Sequence, residues 1–407
     1  MKNVIIIGGG ASGLLASITA ASKGHKVTLI EKNEKLGKKI YITGKGRCNL
    51  TNFCDVNEFL QNVVNNSKFL LSSIHNLSPQ KTYEFFEENG LKLKIERGGR
   101  VFPLSDKASD VTKTLESILN KLNVEIMLNT TVNDLIVEEN VVKGAIINGK
   151  KLFSDAVIVC TGGLSYPSTG STGDGYSFAL KTGHNVIKPK PSLCGIELFG
   201  SDFLELQGLS LKNVRLTASD KNDKILFTDF GEMLFTHFGI SGPIVLSCSA
   251  ILTNLKTNDI NLSIDLKPAL DVQTINNRLI KEFSEEGNKQ ISSTIRGLVP
   301  QSLVNLIIKR SNINFRTKNA EITKKQRNDI ISTLKNLTFK FKKLRPIDEA
   351  IVTSGGIDVK NVNPKTMESK IVSGLYFAGE VLDVDCFTGG YNMQTAFSTG
   401  YLAGENV

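Results

Sequence analysis

The sequence of 407 residues is 40% hydrophobic and 22% charged, with 49 Lys and Arg against 40 Asp and Glu, which is typical of a folded globular protein of two or three domains. No apolar run approaches the roughly 18 residues that a transmembrane helix needs, and the short N-terminal run lacks a small-residue cleavage site, so we expect a cytoplasmic protein that does not enter a membrane. The six cysteines form no CxxC pair and the four histidines show no zinc-like spacing, so we expect reduced thiols and no metal site.

The N-terminal segment predicts a βαβ unit. A β-branched apolar run over Asn3–Ile7 is followed by three glycines, an Ala- and Ser-rich stretch to about Lys23, and a second apolar run, KVTLIEK. This order of strand, glycine turn, helix and strand indicates a parallel sheet. Helical patterns follow over residues 57–89, and strand-like runs lie at 125–127, 132–137, 141–147 and in LFSDAVIVCTGG.

The character of the sequence changes after residue 189. Short β-like runs with turn residues occupy 195–266, a polar and basic helical pattern covers 268–337, and strand and glycine signals return from residue 350. The simplest architecture is a nucleotide-binding domain that a long insertion divides into two parts. We predict these parts at 1–190 and 349–407, an inserted β-barrel-like domain at 191–266 to which 335–348 returns, and an inserted helical basic subdomain at 267–334.

The basic excess is concentrated in one segment. Residues 265–345 contain 17 Lys and Arg against 7 Asp and Glu, whereas the rest of the chain carries a net charge of −1. Two interpretations stay open: a solvated basic face on a helical domain, or a surface for an anionic partner such as nucleic acid. The small number of aromatic residues available for base stacking favours the first.

The first cofactor signal is the motif Gly8-x-Gly10-x-x-Gly13, between the first strand and the first helix. Glycines at this spacing allow a tight turn and a close approach of the backbone to a pyrophosphate, which then faces the N–H groups at the start of the helix. Glu31 ends the second strand 18 residues after Gly13, where its carboxylate can accept hydrogen bonds from ribose hydroxyls. This unit is therefore predicted to bind a dinucleotide.

A second signal, near the C-terminus, favours FAD over NAD. A strand-like run ends in Gly379-Glu380, and the turn GGYN at 389–392 then opens a helix. An acid at the end of a late strand suits a ribityl chain, and helix N–H groups at such a turn can stabilise negative charge on the flavin pyrimidine ring. The alternative is that these glycines only allow close packing of a helix on a strand.

Several long stretches make the chain resemble one family. They are IIGGGASGLLAS (6–17), ITGKGRCNLTN (42–52), GRVFP (99–103), CTGGLSYPSTGSTGDGYSFA (160–179), FTHFGISGP (235–243) and TMESKIVSGLYFAGEVLDVDCFTGGYNMQTAFSTG (366–400). These stretches are similar to those of the BaiN-like, or YhiN-type, family of FAD-dependent oxidoreductases. The resemblance implies an α/β fold with a glutathione-reductase-type FAD-binding Rossmann domain, split by an inserted β-barrel and a helical subdomain.

The resemblance also implies which residues bind FAD. Around the pyrophosphate they are Gly8, Gly10, Ala11, Ser12 and Gly13. On the adenosine side they are Glu31, Lys32 and Val132. Along the ribityl chain and the flavin they are Gly44, Gly46, Arg47, Cys48, Thr161, Gly162, Gly379, Glu380, Gly390, Tyr391 and Asn392. Cys386 stands where a small residue such as glycine is expected. This difference affects the expected conformation of its loop but not the prediction that the chain binds FAD.

If the reaction saturates an activated C=C bond, hydride leaves flavin N5 and an acid protonates the neighbouring carbon. His237 and Tyr391 are the candidate proton donors, and Arg100 is the candidate ligand of an anionic or carbonyl oxygen. Each has a structural alternative: packing or a surface position for His237 and Tyr391, and an ion pair or a phosphate contact for Arg100. For Cys48, a buried inert thiol is favoured over a redox-active one.

These observations predict an FAD-dependent oxidoreductase that passes hydride from NAD(P)H through flavin N5 to an enone-like C=C bond of a small molecule. Only one dinucleotide fingerprint is present, so either NAD(P)H binds transiently at the flavin or another donor supplies the electrons. Two alternatives stay open: a tRNA-modifying flavoprotein of the TrmFO and GidA type, which the basic segment motivates, and a non-catalytic flavin-binding sensor. The sequence leaves the substrate and the oligomeric state undetermined.

Overall fold

The computed structural model describes residues 1–255 and 259–407, which form two compact units. The first unit consists of Met1–Ser192 and Pro346–Val407, and the second of Leu193–Arg345. Each unit has its own cluster of buried apolar side chains. The assignment of the four sequence segments to functional domains stays a prediction.

Residues 1–192 alternate strands and helices. The strands are β1 (Asn3–Ile7), β2 (Lys26–Ile30), β3 (Thr51–Asn52), β4 (Leu93–Glu96), β5 (Arg100–Pro103), β6 (Glu125–Met127), β7 (Val132–Glu138), β8 (Val141–Ile147), β9 (Lys150–Phe153), β10 (Ala156–Val159) and β11 (Val186–Ser192). The helices are α1 (Ala11–Ser22), α2 (Lys38–Ile42), α3 (Val56–Gln61), α4 (Leu71–Asn76), α5 (Pro79–Glu88), α6 (Ala108–Lys121) and α7 (Asp174–Lys181).

The remaining elements follow in the second unit and in the returning chain. The described part of the second unit contains β12 (Ile196–Leu198), β13 (Ser210–Asp220), β14 (Ile225–Thr236), β15 (Gly239–Ser241), α8 (Pro243–Leu252), β16 (Ile260–Asp265), α9 (Val272–Glu285), α10 (Ile291–Arg296), α11 (Gln301–Arg310), α12 (Lys324–Lys335) and β17 (Leu337–Leu344). The returning chain contains β18 (Val352–Ile357), β19 (Leu375–Phe377) and α13 (Tyr391–Asn406).

The first unit is built on a five-stranded parallel sheet in the order β19-β10-β1-β2-β6. The central strand β1 is buried from Val4 onward, as expected for a strand inside a parallel sheet. The late strand β19 pairs with β10, so the returning chain completes the sheet that the N-terminal chain begins. Because all five strands run in the same direction, the segments that follow them emerge at one edge of the sheet.

Helix α13 packs closely on α1, which fixes where its N-terminus lies. A Cβ atom at Gly400 would lie 2.8 Å from the carbonyl carbon of Ser12, and one at Gly404 would lie 2.6 Å from the carbonyl oxygen of Ala16. These distances are too short for real side chains, so glycine is needed at both positions. The two helices thereby approach each other backbone to backbone.

Three smaller antiparallel sheets complete the first unit, with strand orders β3-β5-β4, β7-β8-β9 and β11-β18. The helical pattern predicted over 57–89 is divided into α3, α4 and α5. Helix α3 ends at Gln61, and Asn66, in a left-handed conformation with φ 58°, turns the chain before the next helical segment begins. Ser78 then caps a new helix by accepting a hydrogen bond from the backbone N–H of Lys81, with Pro79 in the first turn.

The second unit contains a closed antiparallel barrel in the order β12-β15-β14-β13-β16-β17. Helices α9 to α12 lie in the chain between β16 and β17, and they share an apolar core with the barrel strands. The predicted α/β fold, with a Rossmann-type sheet split by an inserted β-barrel and helices, is confirmed.

Within residues 1–255 and 259–407, no helix is both long and apolar enough to cross a membrane. The same residues contain no group of three or more His, Cys, Asp or Glu side chains arranged to hold a metal ion. All six cysteines are buried free thiols.

Candidate functional site

The first glycine turn joins β1 to α1 by a backbone path that only glycine can follow. Gly8 has φ 103°, and a Cβ atom there would lie 2.5 Å from the carbonyl oxygen of Cys160. A Cβ at Gly13 would collide with the carbonyl oxygen of Gly8. The turn therefore lies directly against the end of β10, and α1 starts close to the edge of the sheet.

The N-terminus of α1 is open. Gly10 is its N-cap residue, no side chain caps the helix, and the first turn, which begins with Ala11 and Ser12, contains no acidic residue. A Cβ at Gly10 would meet no atom within 4 Å. The unpaired N–H groups and the positive end of the helix dipole are therefore available to an anion such as a pyrophosphate.

Glu31 follows β2 and is buried beside the glycine turn. Its Oε2 accepts a hydrogen bond from the N–H of Gly9 at 2.8 Å, and its Oε1 accepts from the N–H and Nδ2 of Asn33 at 2.8 and 2.6 Å. A carboxylate oxygen can accept more than one hydrogen bond, so Oε2 retains capacity for a ribose hydroxyl. The carboxylate is held rigidly in the position that the motif predicts.

The other residues predicted for the adenosine side flank Glu31. The N–H of Thr130 donates to the carbonyl oxygen of Glu31 at 3.0 Å, which brings the start of β7 at Val132 close to the end of β2. Lys32 forms an ion pair with Asp174 at 2.7 Å. Lys32 is therefore engaged within the protein, and its predicted role toward adenine stays a prediction.

The end of β10 contributes an unpaired hydroxyl group. Thr161 Oγ1 is buried and has no hydrogen-bond partner among the described residues. The next residue, Gly162, has φ 73° and turns the chain away from the sheet. A Cβ built at Gly175 would lie 2.3 Å from this oxygen, so the hydroxyl packs against the first turn of α7 within the protein.

Gly379 and Glu380 follow β19 at the same edge. A Cβ at Gly379 would lie 2.8 Å from the Cβ of Ser12, so this turn packs on the first turn of α1. Glu380 accepts hydrogen bonds from Lys39 Nζ at 2.6 Å, Ser165 Oγ at 2.7 Å and the N–H of Thr353 at 2.9 Å. Its carboxylate thus links four segments of the chain by hydrogen bonds. The predicted contact of this carboxylate with the ribityl chain of FAD stays a prediction.

A loop over residues 43–48 has an unusual backbone. Gly44, Lys45, Gly46 and Cys48 all have positive φ angles, of 56°, 59°, 84° and 60°. Two of these are not glycines, so the loop stores conformational strain, as often occurs at functional sites. Cys48 is fully buried and its burial raises the pKa of the thiol to about 12, so it is a neutral thiol at physiological pH.

Arg47 and Arg100 share one cluster of charges. The Arg47 guanidinium binds Glu96 and Asp106 and lies 4.1 Å from the centre of the Phe102 ring. These hydrogen bonds with Arg47 lower the pKa of the Glu96 carboxyl. Arg100 is exposed, its Nε donates to the carbonyl oxygen of Arg97 at 3.1 Å, and its one ion pair among the described residues, with Glu96, is long at 3.9 Å. Arg47 is therefore occupied within the protein, whereas Arg100 retains most of its donors.

The turn before α13 also needs glycine. Gly390 has φ 105°, and a Cβ there would collide with the backbone carbonyl of Thr51. No side chain caps the helix, and its first turn contains no acidic residue. Tyr391 points into the core, where its ring meets the edge of Phe59 at 5.5 Å between centroids and burial raises the pKa of its hydroxyl to about 12.

Two predicted residues have structural contacts of their own. Asn392 exchanges hydrogen bonds with Cys386: its Oδ1 accepts from the N–H and its Nδ2 donates to the carbonyl, both at 2.9 Å. His237 lies in the second unit, exposed in the turn between β14 and β15, with its ring against Phe238 at 5.1 Å between centroids. The roles predicted for these side chains stay predictions.

The first unit thus brings most of the predicted cofactor residues to one edge of its sheet, and it adds four that the sequence did not single out: Lys39, Asn49, Ser165 and Thr353. Asn49 and Ser165 lie in stretches quoted for the family resemblance, but the partner of Ser165, Glu380, is 215 residues away, and Asn49 Oδ1 has no partner among the described residues. The open α1 N-terminus and the buried Glu31 carboxylate beside the glycine turn fit a bound FAD.

Known proteins support this assignment. The family model described as "HI0933-like protein Rossmann domain" matches residues 2–406. The chain is 32% identical to a 3-dehydro-bile acid delta(4,6)-reductase of Clostridium scindens, covering 100% of this chain and 98% of the relative. It is 33% identical to a ribosomal RNA dihydrouridine synthase of Haemophilus influenzae, covering 99% and 98%. The structure of a 3-ketosteroid-delta4-(5alpha)-dehydrogenase of Rhodococcus jostii shares the fold, with a TM-score of 0.55 and 14% identity over 100% of this chain and 96% of that one. The FAD-binding Rossmann fold and the predicted family are confirmed.

Proposed function

The chain belongs to the HI0933-like family and is a flavin-dependent oxidoreductase, and from this premise we propose that it reduces a C=C bond conjugated to a carbonyl group in a small molecule, with NAD(P)H as the electron donor. The observation that carries the proposal is the edge of the first unit's sheet, where the glycine turn after β1 leads into the uncapped N-terminus of α1 beside the buried Glu31 carboxylate. The full-length relative named as a reductase supports the choice of reaction.

When bound, FAD would accept hydride from the donor and deliver it to the carbon β to the carbonyl group. We assign its binding to the first unit. The N-terminus of α1 at Gly10 would bind the pyrophosphate, and Glu31 would accept from the adenosine ribose. The N-terminus of α13 would face the pyrimidine part of the flavin, where its N–H groups stabilise negative charge.

Arg100 is the candidate that we assign to the substrate's carbonyl oxygen. Its guanidinium is exposed, and apart from the Nε bond to the Arg97 carbonyl it has one long ion pair, so its terminal N–H donors are available, in contrast to those of Arg47. A guanidinium that donates to this oxygen withdraws electrons from the conjugated bond and favours hydride addition. Arg100→Lys should slow substrate reduction while leaving flavin reduction by NAD(P)H unchanged, since the latter does not involve the carbonyl oxygen.

Tyr391 and His237 are the two candidates that we propose for the proton donor. Tyr391 keeps its proton because burial raises its pKa to about 12, but its ring packs in the core. His237 is exposed, in the turn between β14 and β15 of the second unit. His237→Gln and Tyr391→Phe, compared by the rate of oxidation of the reduced flavin by substrate in single turnover, distinguish them.

The first experiment is an anaerobic absorbance titration of the FAD-loaded protein with NADH and with NADPH. Bleaching of the flavin by either one supports the proposed donor, and reoxidation of the reduced flavin by 3-oxo-Δ4 steroids and simpler enones then screens for substrates. No bleaching by either nucleotide would overturn NAD(P)H as the donor. That result would agree instead with the sensor hypothesis or with a different reductant.

A second candidate substrate is RNA. Two full-length relatives are named as ribosomal RNA dihydrouridine synthases. The second unit carries 22 Lys and Arg against 15 Asp and Glu, a net charge of +7 that suits an anionic partner. The reaction is chemically parallel, because the C5=C6 bond of uracil is conjugated to the C4 carbonyl.

The two candidates are separated by supplying both substrates to one enzyme preparation. Reduced enzyme is incubated with ribosomal RNA lacking dihydrouridine and, separately, with an enone. Gain of two hydrogens in an RNA fragment by mass spectrometry, at a rate that falls with salt, would favour the RNA substrate. Turnover of the enone alone, unchanged by salt, would favour the small molecule.

A further inference from the structure

The 43–48 loop belongs to a chain segment that is anchored at both turns of the cofactor edge. The segment starts at Gly37, whose N–H donates to the carbonyl oxygen of Gly9 in the first glycine turn at 2.8 Å. It ends at Thr51, whose backbone carbonyl would collide with a Cβ at Gly390, before α13. A cofactor that reaches from the first turn to the second therefore runs beside this segment and its exposed loop.

The backbone of this loop is not one that its residues prefer. Lys45 and Cys48 have φ angles of 59° and 60°, a left-handed conformation that side chains rarely adopt. Gly44 and Gly46, also left-handed, restrict the chain less than any other residue would. Such a backbone keeps one conformation only where contacts from outside the loop fix it, and Arg47 lies between its two strained residues.

Arg47 connects the loop to the β4-β5 hairpin. Its Nε donates to Asp106 Oδ1 at 2.7 Å, and its two terminal nitrogens bind the Glu96 carboxylate, so all three guanidinium nitrogens have a carboxylate partner. The guanidinium carbon also lies 4.1 Å from the centre of the Phe102 ring. A planar group that meets two carboxylates and a ring has one orientation, so these contacts fix the position of the loop.

We propose that Arg47 is a positioning residue, which holds the 43–48 loop along the flavin by binding Glu96 and Asp106 and does not touch the flavin itself. The proposal rests on FAD binding by the first unit, which the proposed function requires. It differs from the direct cofactor contact that the family resemblance implies, because the guanidinium nitrogens already bind carboxylates. A loop that is fixed before FAD arrives loses little conformational entropy on binding.

Lys94 provides a matched control on the same two carboxylates. Its Nζ donates to Asp106 Oδ2 at 2.6 Å and lies 3.9 Å from Glu96 Oε1, but Lys94 belongs to β4 and not to the loop. Lys94→Gln therefore removes a cation from this cluster and leaves the link between the loop and the hairpin in place. An effect of the lost charge appears in both variants, whereas an effect of loop release appears only in Arg47→Gln.

The test measures ligand binding and loop release on the full-length chain. Arg47→Gln should bind FAD about tenfold more weakly than the wild type by fluorescence quenching, because ordering the released loop then opposes binding. It should bind ADP as the wild type does by calorimetry, since ADP lacks the flavin. Trypsin cleavage of the apoprotein after the exposed Lys45, followed by mass spectrometry, should be faster in Arg47→Gln. Lys94→Gln should match the wild type in all three measurements, and Arg47→Lys, which keeps the charge without the planar fork, should fall in between.

Removing the partners of Arg47 separates positioning from direct contact. In the double variant Glu96→Gln/Asp106→Asn, Arg47 keeps its charge but loses both carboxylates. This variant should lose as much FAD affinity as Arg47→Gln does, and adding Arg47→Gln to it should cause no further loss. Wild-type or tighter FAD binding by the double variant would overturn the proposal in favour of a direct contact.

Two other results would also overturn it. One is equal FAD affinity and equal cleavage after Lys45 in Arg47→Gln and Lys94→Gln, which would show that the link does not hold the loop. The other is an equal loss of FAD and ADP affinity in Arg47→Gln, which would show a general disturbance of the first unit. If the wild-type chain binds ADP but not FAD, the proposed function itself fails, and this outcome is distinct from the failure of Arg47 alone.

Discussion

The two units differ in how completely they satisfy their own polar groups. Among the described residues, the buried side-chain oxygens without hydrogen-bond partners are Asn49 Oδ1, Thr161 Oγ1, Tyr176 OH and Gln394 Oε1 in the first unit, and Thr236 Oγ1 in the second. In the second unit, by contrast, one nearly buried carboxylate, Glu197, faces three cations. Most of the unpartnered buried oxygens of the described residues thus lie in the first unit, whereas the second unit carries the basic excess and neutralises part of it at Glu197.

Gly13 in the first unit and Gly287 in the second should differ most in their tolerance of a methyl group. Gly13→Ala gains helix propensity of about 1 kcal/mol, but its Cβ would collide with the carbonyl oxygen of Gly8, so we expect a net loss of about 3 kcal/mol in the free energy of unfolding. Gly287→Ala in the second unit places its Cβ 3.3 Å from Ala320 and should change stability by less than about 1 kcal/mol. Urea unfolding of both variants measures the difference, and equal losses would contradict the comparison.

Gly10→Ala separates ligand binding from folding within the first unit. Its Cβ would enter open space at the N-terminus of α1, so the apoprotein should unfold as the wild type does. The methyl group would obstruct the approach of a pyrophosphate to the helix N–H groups, and we expect FAD and ADP to bind about 30-fold more weakly, or about 2 kcal/mol. Calorimetric titration with ADP measures this effect. Unchanged ADP affinity would place the pyrophosphate elsewhere.

Local sequence patterns predict more of the fold than of the candidate site. The run Asn3–Ile7 and the glycine turn predict β1 and the start of α1 because strand propensity and backbone geometry are properties of neighbouring residues. Glu31 could be placed beside the turn because a parallel βαβ unit fixes its distance from Gly13. The structure has Glu31 hydrogen-bonded to the N–H of Gly9 within that turn.

The remaining site residues depend on contacts that no local pattern encodes. Lys39 binds Glu380 across 341 residues of sequence, and Ser165 binds the same carboxylate across 215. Glu380 was predicted from its position after a late strand, but its partners come from three separate segments. The family resemblance implied that Arg47 lies along the flavin, whereas its guanidinium pairs with Glu96 and Asp106, which only the tertiary structure brings near.

Glu197→Gln tests whether the charges of the second unit stabilise that unit. Glu197 is 7% exposed and lies 2.8 Å from Arg345, 3.5 Å from Lys343 and 3.6 Å from Lys342. Removing its charge leaves three cations facing one another, and we expect a loss of about 1 to 2 kcal/mol in unfolding free energy at low salt, less in 1 M NaCl. Asp202→Asn, at a more exposed pair of contacts to Lys309 and Arg310, should cost about 0.5 kcal/mol or less. A larger loss for Asp202→Asn would reverse the ranking.

The smallest expected effect is a pH dependence in the first unit, at Asp385. Burial raises the pKa of this carboxyl, and the nearby Glu380 adds to the shift, while hydrogen bonds from Asn65, Ser192 and Ser354 partly offset it. Because the folded-state pKa lies above the unfolded one, the folded protein retains a proton that the unfolded chain releases. Stability from this group is therefore present below the ordinary aspartate pKa and declines as pH rises toward the folded-state value.

Asp385→Asn removes this titration while an amide can still bond to the same three side chains. Unfolding free energies measured from pH 4 to pH 7 should then decline less steeply with rising pH than in the wild type. Ser192→Ala removes one of the hydrogen-bond donors that lower the pKa of Asp385. The unfolding free energy should therefore decline more steeply with rising pH in this variant. A purely structural role for Asp385 would not produce this change. Parallel pH profiles for all three proteins would show that Asp385 is already ionised in the fold. The first unit would then tolerate a buried charge as the second unit does at Glu197. The contrast between the two units would be confined to the edge of the five-stranded sheet where we propose that FAD binds.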